Sequence, residues 1–560
     1  MSSIVIVDAV STGYNLVDDA AIRGYDPVVI ELKDISGDDI LAVRASSYAL
    51  FKHQPTILQE CDRYEDTLEM IRRLDPAVVI AGAEGGVPLA TRLAEDLGLP
   101  GNPTSILPQM TQKDEMHLAL KRAGLRYIRG QKVKSVEEAV SFCEENGITK
   151  AVVKPLHSSA SQGLYICNDL DEVANAVREN LSSCDFYGHP MTEVLVQERI
   201  FGTEFIVNTA SCNGVHRLTS MMLYSKRATP EGGYVYDYAK SIDRLEPGNA
   251  VLVEYALKVV DAIGIKYGPV HGEYMIDENG PVLIEVNCRP MGCSMDAEFL
   301  DLIYGQHETD SALDCYLDPE KFKEDMYKPY RPLRTGIIKL VIVPEEKIVE
   351  DHPIWEIAGS LRSMYKISAE TSLKIYHKTR DLESNGGVLY LVHDRKEVVM
   401  SDLDLLQKIE HSYFNFFLTD SVSRRWFIDR RVPANDYRKI IDECGLKGSI
   451  LIASDKVEKV EGAECVTSDM IPDVRREFDN VIIGYRERIL QIKESEYLRL
   501  IFSAMTYVKP GGKVIVPQGT WHYISYQREG TEVLLRVKGF IIEAPVAGRF
   551  GEVIGTYEGL

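Results

Sequence analysis

The sequence predicts a modular protein of mixed α/β and α+β character, and three observations carry that prediction. At 560 residues the chain exceeds what one hydrophobic core organises, so roughly three to four packed units are expected. Up to about residue 100, apolar strand-like runs alternate with helical stretches, the grammar of a parallel sheet. From about residue 106 the pattern becomes helices separated by strand pairs, with short Gly- or Asp-containing turns that favour antiparallel pairing.

In order, the first unit, 1–105, has a strand at 4–7, a loop at Ser11-Thr12-Gly13, a helix from Asn15 and a strand at 27–32. A further strand at 77–81 leads through Gly82-Ala83-Glu84-Gly85-Gly86 into a helix, and LGLPGNPTS supplies Gly and Pro punctuation at the domain edge. The second unit, 106–330, pairs AVVKP with LYIC, VLVQERI with EFIVNTA, and VHGEYMID with PVLIEVN. Residues 331–412 continue as short strands (IIKLVIV, GVLYLVH) that close this unit, and 413–560 return to α/β text.

Composition narrows the function. A hydrophobic fraction of 45% with 26% charged residues is that of a globular protein, and no apolar run reaches the roughly 18 residues of a membrane helix. The N-terminus has no basic region of a signal peptide, and ten cysteines without a CxxC pair suit free thiols, so a cytoplasmic location is expected. A net charge of −22 repels phosphate backbones and anionic lipid, which speaks against nucleic acid or a membrane as partner.

Two segments carry chemistry. Ala151-Val152-Val153-Lys154-Pro155 precedes a small, hydroxyl-rich loop with Ser158, Ser159, Ser161 and Gly163, which offers one cation and backbone N–H groups to phosphate oxygens. A polar hairpin with a lysine at its edge explains that segment equally well. No GxxxxGK[ST] element occurs, so a P-loop is not the nucleotide site. The second segment joins His271-Gly272-Glu273 through a turn at 277–280 to Glu285-Val286-Asn287-Cys288-Arg289. A tight hairpin sets Glu273 opposite Glu285, and Glu285 and Asn287, two apart, share a face. Two carboxylates and an amide oxygen suit Mg²⁺ (or Mn²⁺) shared with substrate phosphates.

At these residues the chain resembles the ATP-grasp superfamily, most closely its amino-acid ligase branch, over about residues 1–400. The resemblance implies a parallel pre-ATP-grasp domain followed by a two-lobed antiparallel nucleotide-binding unit. TQKD with Lys113 looks like the family's first nucleotide lysine, and VVKP with Lys154 like its second. VLVQERIFGTEFIV is similar to the segment whose backbone near Gln197, Glu198 and Ile200 meets adenine and whose Glu204 holds the ribose. IEVNCRPMG implies Glu285 and Asn287 as metal ligands with Glu273 as partner, and Arg289 beside the reacting phosphoryl group. LYSKRATPEGGYVYD makes Lys226 a further active-site candidate. AGAEGGVPLATRLAEDLGLPGN gives Glu84 a pocket role, although a carboxylate at a helix N-terminus is stabilised by the dipole alone. His271 is a substrate-side candidate. The activity implied is ligation of a small carboxylate to an amine, amino acids as the class, at the expense of ATP.

The last block resembles the second half of a class I methyltransferase, down to Lys509-Pro510-Gly511-Gly512-Lys513 before a strand, and a Rossmann-like fold is expected there. Where the glycine-rich cofactor loop belongs, the chain reads GSILIASDKVEKVEG without closely spaced glycines. The expectation is a shell without S-adenosylmethionine binding that serves packing, homodimer formation or cover for the ligase site. Alternatives are a bifunctional ligase–methyltransferase and a nucleotide-binding regulator without turnover. The regulator has less need of the full Glu273, Glu285, Asn287 and Arg289 set.

Overall fold

The computed structural model describes residues 2–33, 35, 38–156, 163–184, 190–229, 234–344, 347–348, 354–369, 375–380, 382, 384–416, 437–454, 459–467, 474, 476–483, 504–516, 540–542 and 553–557. They fall into two compact units, 1–336 with 381–383, and 337–380 with 384–560.

The first unit begins with parallel strands β1 (Ser3–Val7), β2 (Asp26–Glu31), β3 (Thr56–Gln59) and β4 (Pro76–Ala81), in the order β3-β2-β1-β4. The run SIVIV of β1 is buried along its whole length, as a central parallel strand covered on both faces requires. Helices α1 (Asn15–Ile22), α2 (Asp38–Tyr48), α3 (Tyr64–Arg72) and α4 (Val87–Leu97) connect and flank the strands. Helix α4 has a proline in its first turn and stops at Gly98, whose φ of 69° is the left-handed cap that glycine adopts without strain.

Helices α5 (Leu107–Thr111) and α6 (Lys113–Arg122) lead into a small antiparallel sheet. It contains β5 (Gly130–Val133), β6 (Ala151–Pro155), β7 (Tyr165–Cys167) and β8 (Val194–Glu198), in the order β5-β8-β6-β7. Helices α7 (Val136–Glu145) and α8 (Leu170–Leu181) are capped by Ser135 and Asp169, whose side chains accept the N–H groups of Glu138 and Glu172. Their apolar faces pack on this sheet around Val153, Val177 and Val196.

A larger antiparallel sheet follows: β9 (Thr203–Cys212), β10 (Val215–Ala228), β11 (Tyr234–Ser241), β12 (Gly268–Asp277) and β13 (Gly280–Asn287), in the order β13-β12-β9-β10-β11. Helix α9 (Pro247–Ile263) buries Leu252, Ala256 and Val260 in the same cluster as Val207 and Leu283. Helices α10 (Ala297–Tyr304), α11 (Glu308–Leu317) and α12 (Pro319–Met326) complete the unit. VLVQERI and EFIVNTA, expected to pair with each other, belong to different sheets. Both edges of β8 are occupied, by β5 and β6, and the chain crosses at Gly202, where a Cβ would lie 2.3 Å from Ile276 O.

In the second unit β14 (Thr335–Leu340) is followed by β15 (Lys347–Ile348), α13 (Ile354–Gly359), β16 (Met364–Ser368), β17 (Ile375–Tyr376), β18 (Val388–His393) and α14 (Lys396–Phe416). Lys339, with no exposed side-chain surface, pairs with Glu410 at 2.5 Å. Then come α15 (Tyr437–Glu443), β19 (Ile450–Ala453), β20 (Ala463–Val466), β21 (Phe478–Ile483), β22 (Val508–Val516), β23 (Phe540–Ile542) and β24 (Val553–Tyr557). The order is β20-β19-β21-β22-β24-β23, parallel through β22, with β24 antiparallel to both neighbours. The Lys509–Lys513 turn, expected ahead of a strand, is a bulge inside β22: Phe478 pairs with Val508 and Asn480 with Lys513. Among the described residues no helix is long and apolar enough to cross a membrane.

Candidate functional site

The site is built on the β12–β13 hairpin. Asp277 pairs with Gly280, whose φ of 96° closes the turn, and the register then sets Glu273 opposite Glu285 and His271 opposite Asn287. Asn287 Nδ2 donates to Glu285 Oε1 at 3.3 Å, so the two residues do share a face.

Two lysines reach this face. Lys113, the first residue of α6, places Nζ 3.2 Å from Glu285 Oε2. An ammonium at a helix N-terminus opposes the dipole, so its carboxylate neighbours must hold it there. Burial works to lower the Lys113 pKa, but Glu285 and Glu84 outweigh it and the group is raised. Lys154, at the buried end of β6, is pushed down to about 8 by burial, against the pull of Glu285. Burial would raise Glu285, but Lys113 and Lys154 hold it at about 2. Beside them His117, missed by sequence reading, is pushed down to about 3 by burial and by Lys154, and is therefore a neutral ring.

Of the loop after β6, Ser158, Ser159 and Ser161 lie outside the described residues. Gly163 is described, with φ 70°. Its carbonyl accepts from Asn180 Nδ2 at 3.0 Å, and a Cβ would lie 2.7 Å from Asn180 Oδ1 and 2.8 Å from Pro155 Cγ.

The far end of the face is set by Glu204 on β9. Lys226 Nζ lies 2.5 Å from its Oε2, and Tyr236 Oη donates to its Oε1 at 3.1 Å. A register shift between Ser225 and Lys226 aims the lysine here, 4.4 Å from the Tyr236 ring centroid. Burial raises the Glu204 carboxyl, opposed chiefly by Lys226. Gln197 is buried on β8, and its Nε2 has no hydrogen-bond partner. Glu198 is committed to structure: Arg129 grips its carboxylate at 2.6 and 2.9 Å, and its N–H donates to Arg129 O. Ile200 follows, half-buried, on the crossing between sheets.

Arg289 lies beyond β13. Its Nη1 donates to Pro290 O at 2.9 Å and its Nη2 is 3.7 Å from Glu84 Oε2, so its acidic neighbour comes from the first sheet's loops rather than from Glu273 or Glu285. Glu84 stands where the β4 loop meets the carboxyl edge of the parallel sheet, the usual ligand crevice of such sheets. The floor of that crevice is tight: a Cβ on Gly13 would lie 2.4 Å from Gly82 O, and one on Gly86 2.3 Å from Val7 O.

The loop after Arg289 is clasped by the loop after β1. Thr12 Oγ1 donates to Gly292 O and accepts from Met295 N, Ser294 N donates to Ser11 Oγ, and Tyr14 and Asn15 donate to Met295 O. Cys293 and Ser294 are held there at φ 66° and 47°, conformations that L residues rarely adopt. His271 Nδ1 lies 2.8 Å from Asn208 Oδ1, and its Nε2 3.4 Å from Glu273 Oε1. Asn208, the partner of this ring, and Glu308, which Asn208 meets in turn, carried no sequence signal.

A family model described as an ATP-grasp domain matches residues 148–297. Dapdiamide A synthase of Enterobacter agglomerans is 26% identical over 433 residues, which cover 74% of this chain and 98% of that protein. The crystal structure of an L-amino acid ligase from Bacillus licheniformis superposes with a TM-score of 0.56 at 17% identity, covering 73% of this chain and 97% of that one. A carboxyaminoimidazole ribonucleotide synthase from Aspergillus clavatus, complexed with ATP, gives 0.53 at 14% identity over 73% and 98%. Both structures share the fold. The matched segment holds Lys154 on β6 and the paired carboxylates of the β12–β13 hairpin, and over residues 148–297 the chain is similar to an ATP-grasp domain.

Proposed function

We propose that the protein is an ATP-dependent carboxylate–amine ligase that forms an amide or dipeptide bond through an acyl phosphate and releases ADP and phosphate. The observation that carries this reading is the gathering of Lys113, Lys154 and Glu285 on one buried face, with Arg289 and Glu84 at the crevice of the first sheet. The relationship to dapdiamide A synthase along nearly the whole of that enzyme supports it.

A carboxylate and a triphosphate repel one another, so catalysis needs cations placed in advance. Lys113 and Lys154 serve the phosphates, and Arg289 serves the transferring phosphoryl group and the acyl phosphate. The backbone near Gln197, Glu198 and Ile200 receives adenine. Glu204 takes the ribose hydroxyls, with Lys226 as its counter-charge. Glu84 faces the substrate carboxylate and amine, which are small molecules of the amino-acid class. His271, with its ring nitrogens turned to Asn208 and Glu273, stands on the substrate side behind Glu273. Glu285 and Asn287, with Glu273 opposite, fit Mg²⁺ or Mn²⁺ by their hard oxygen donors. Among the described residues no group of three or more His, Cys, Asp or Glu is arranged to hold a metal ion by itself, so the oxygens of bound phosphates would have to complete the donor set. Held by these residues, the cation would neutralise phosphate charge. The ten scattered cysteines fit a reducing cytoplasm.

The test is an ADP-release screen of the purified protein against pairs of amino acids and small carboxylates, with and without Mg²⁺. The expected result is Mg²⁺-dependent ADP release only when a carboxylate is present. Equal release with and without carboxylate across the screen would sink the ligase reading.

A further inference from the structure

Behind the catalytic face lies a further carboxylate with no role so far. Glu308, the first residue of α11, is buried. One of its oxygens accepts Met291 N–H at 2.6 Å, two residues after Arg289. The other accepts from Asn208 Nδ2, with Ser220 Oγ at 3.5 Å. Asn208 Nδ2 also donates to Ser220 Oγ at 2.9 Å, so both amide hydrogens have acceptors and the amide oxygen is the atom left to face His271 Nδ1 at 2.8 Å. The ring therefore donates from Nδ1, and its Nε2, 3.4 Å from Glu273 Oε1, holds that carboxylate when it carries a proton as well.

We propose that Glu308 is a positioning residue for the ligation site. Through Asn208 and His271 it fixes Glu273, and through Met291 N–H it fixes the loop that carries Arg289. One buried anion thus ties the hairpin that faces the cation to the arginine that faces the phosphoryl group. Outer partners of this kind commonly govern how well an ion is held. The proposal rests on the ligase reading only in that Glu273 faces the cation bound with the nucleotide.

The chemistry of the relay supplies its own control. In Glu308→Gln the new amide must turn N–H groups toward either Asn208 Nδ2 or Met291 N–H, both donors. In Asn208→Asp two carboxylates meet without a proton between them. The double variant Asn208→Asp/Glu308→Gln restores each contact. The amide oxygen now at position 308 accepts Met291 N–H, and the amide nitrogen beside it donates to the carboxylate now at position 208. That carboxylate in turn accepts from His271 Nδ1 and Ser220 Oγ.

Calorimetric titration of the full chain with a non-hydrolysable ATP analogue, in Mg²⁺ and in EDTA, reads this directly, with thermal unfolding alongside. We expect Mg²⁺ to tighten analogue binding to the unaltered protein. Each single variant should lose about 10–100-fold of the Mg²⁺-dependent affinity, with binding in EDTA little changed and a lowered melting temperature from the mismatched buried contact, and the double variant should recover both. Wild-type affinity in the single variants, no recovery in the double variant, or an equal fall of affinity in Mg²⁺ and in EDTA would overturn the proposal. Absence of Mg²⁺-dependent analogue binding to the unaltered protein would instead remove the ligase reading beneath it. Should a single variant not fold, Ser220→Ala removes one acceptor of the same amide without a change of charge. Reduced Mg²⁺ dependence there supports the relay, and unchanged dependence overturns it.

Discussion

The ammonium of Lys113 lies 3.2 Å from a carboxylate oxygen of Glu285, and both side chains are largely withdrawn from solvent. Each is the other's counter-ion, and each is also the group through which the proposed chemistry runs. Triphosphate and cation must therefore replace an existing contact, which couples the arrival of one to that of the other.

Glu285→Ala should abolish Mg²⁺-dependent turnover and also lower stability, because Lys113 is left buried. Breaking such a pair costs about 3 kcal/mol or more where nothing else compensates, and Glu84 and Glu273 should reduce that figure here. Urea denaturation measures it. The pH dependence has a definite sign. Glu285 is held at about 2, below the usual carboxylate value of about 4.3. Its contribution is thus complete above about pH 4.3 and is lost as pH falls toward 2. Glu285→Gln should flatten the stability curve in that window.

Lys154 gives a second pH signature. Burial sets its ammonium at about 8, and a triphosphate beside it favours the charged form again. Nucleotide binding should therefore take up roughly half a proton near pH 8 and little at pH 6.5. Calorimetry in buffers of different ionisation enthalpy reads this, and Lys154→Met should remove it. Equal uptake at both pH values would show that Lys154 is not the titrating group.

His307 ties α1 to α10, with Nε2 3.0 Å from Asp19 and Nδ1 2.9 Å from Asp301. Burial opposes its charge, but the two carboxylates win and raise it to about 10. A raised folded-state value means that its stabilisation is complete below about pH 6.5 and is lost as pH rises toward 10. The melting temperature should fall across that range more steeply than in His307→Gln.

Arg289→Lys keeps the charge but loses the planar fork, so kcat should fall by about 10²-fold, as for loss of a preorganised donor, while ATP affinity changes little. A kcat within a few-fold of normal, with a lowered melting temperature, would make Arg289 a strut between Glu84 and its own loop instead.

What the sequence disclosed follows from distance along the chain. Glu273, Glu285 and Asn287 were legible because a hairpin converts period-two spacing into geometry. The pairing of Lys113 with Glu285 and of Arg289 with Glu84 needs several elements packed together, and no local pattern encodes it. The split of VLVQERI from EFIVNTA was missed because adjacency suggests pairing, whereas both edges of β8 are filled by strands on either side of α7. Asn208 and Glu308, 100 residues apart, read as ordinary strand and helix residues until the fold joins them.

The clasp between the loop after β1 and the loop after Arg289 also bears on how the molecule is made. Its hydrogen bonds join residues 280 to 283 positions apart. A chain emerging from the ribosome completes the first parallel sheet, Lys113 and Lys154 well before the loop beyond Arg289 exists to be gripped. Contacts of such long sequence separation form slowly, and the strained backbone at Cys293 and Ser294 has little reason to persist without them. The loop beyond Arg289 is thus set late, against a sheet edge already in place to receive it.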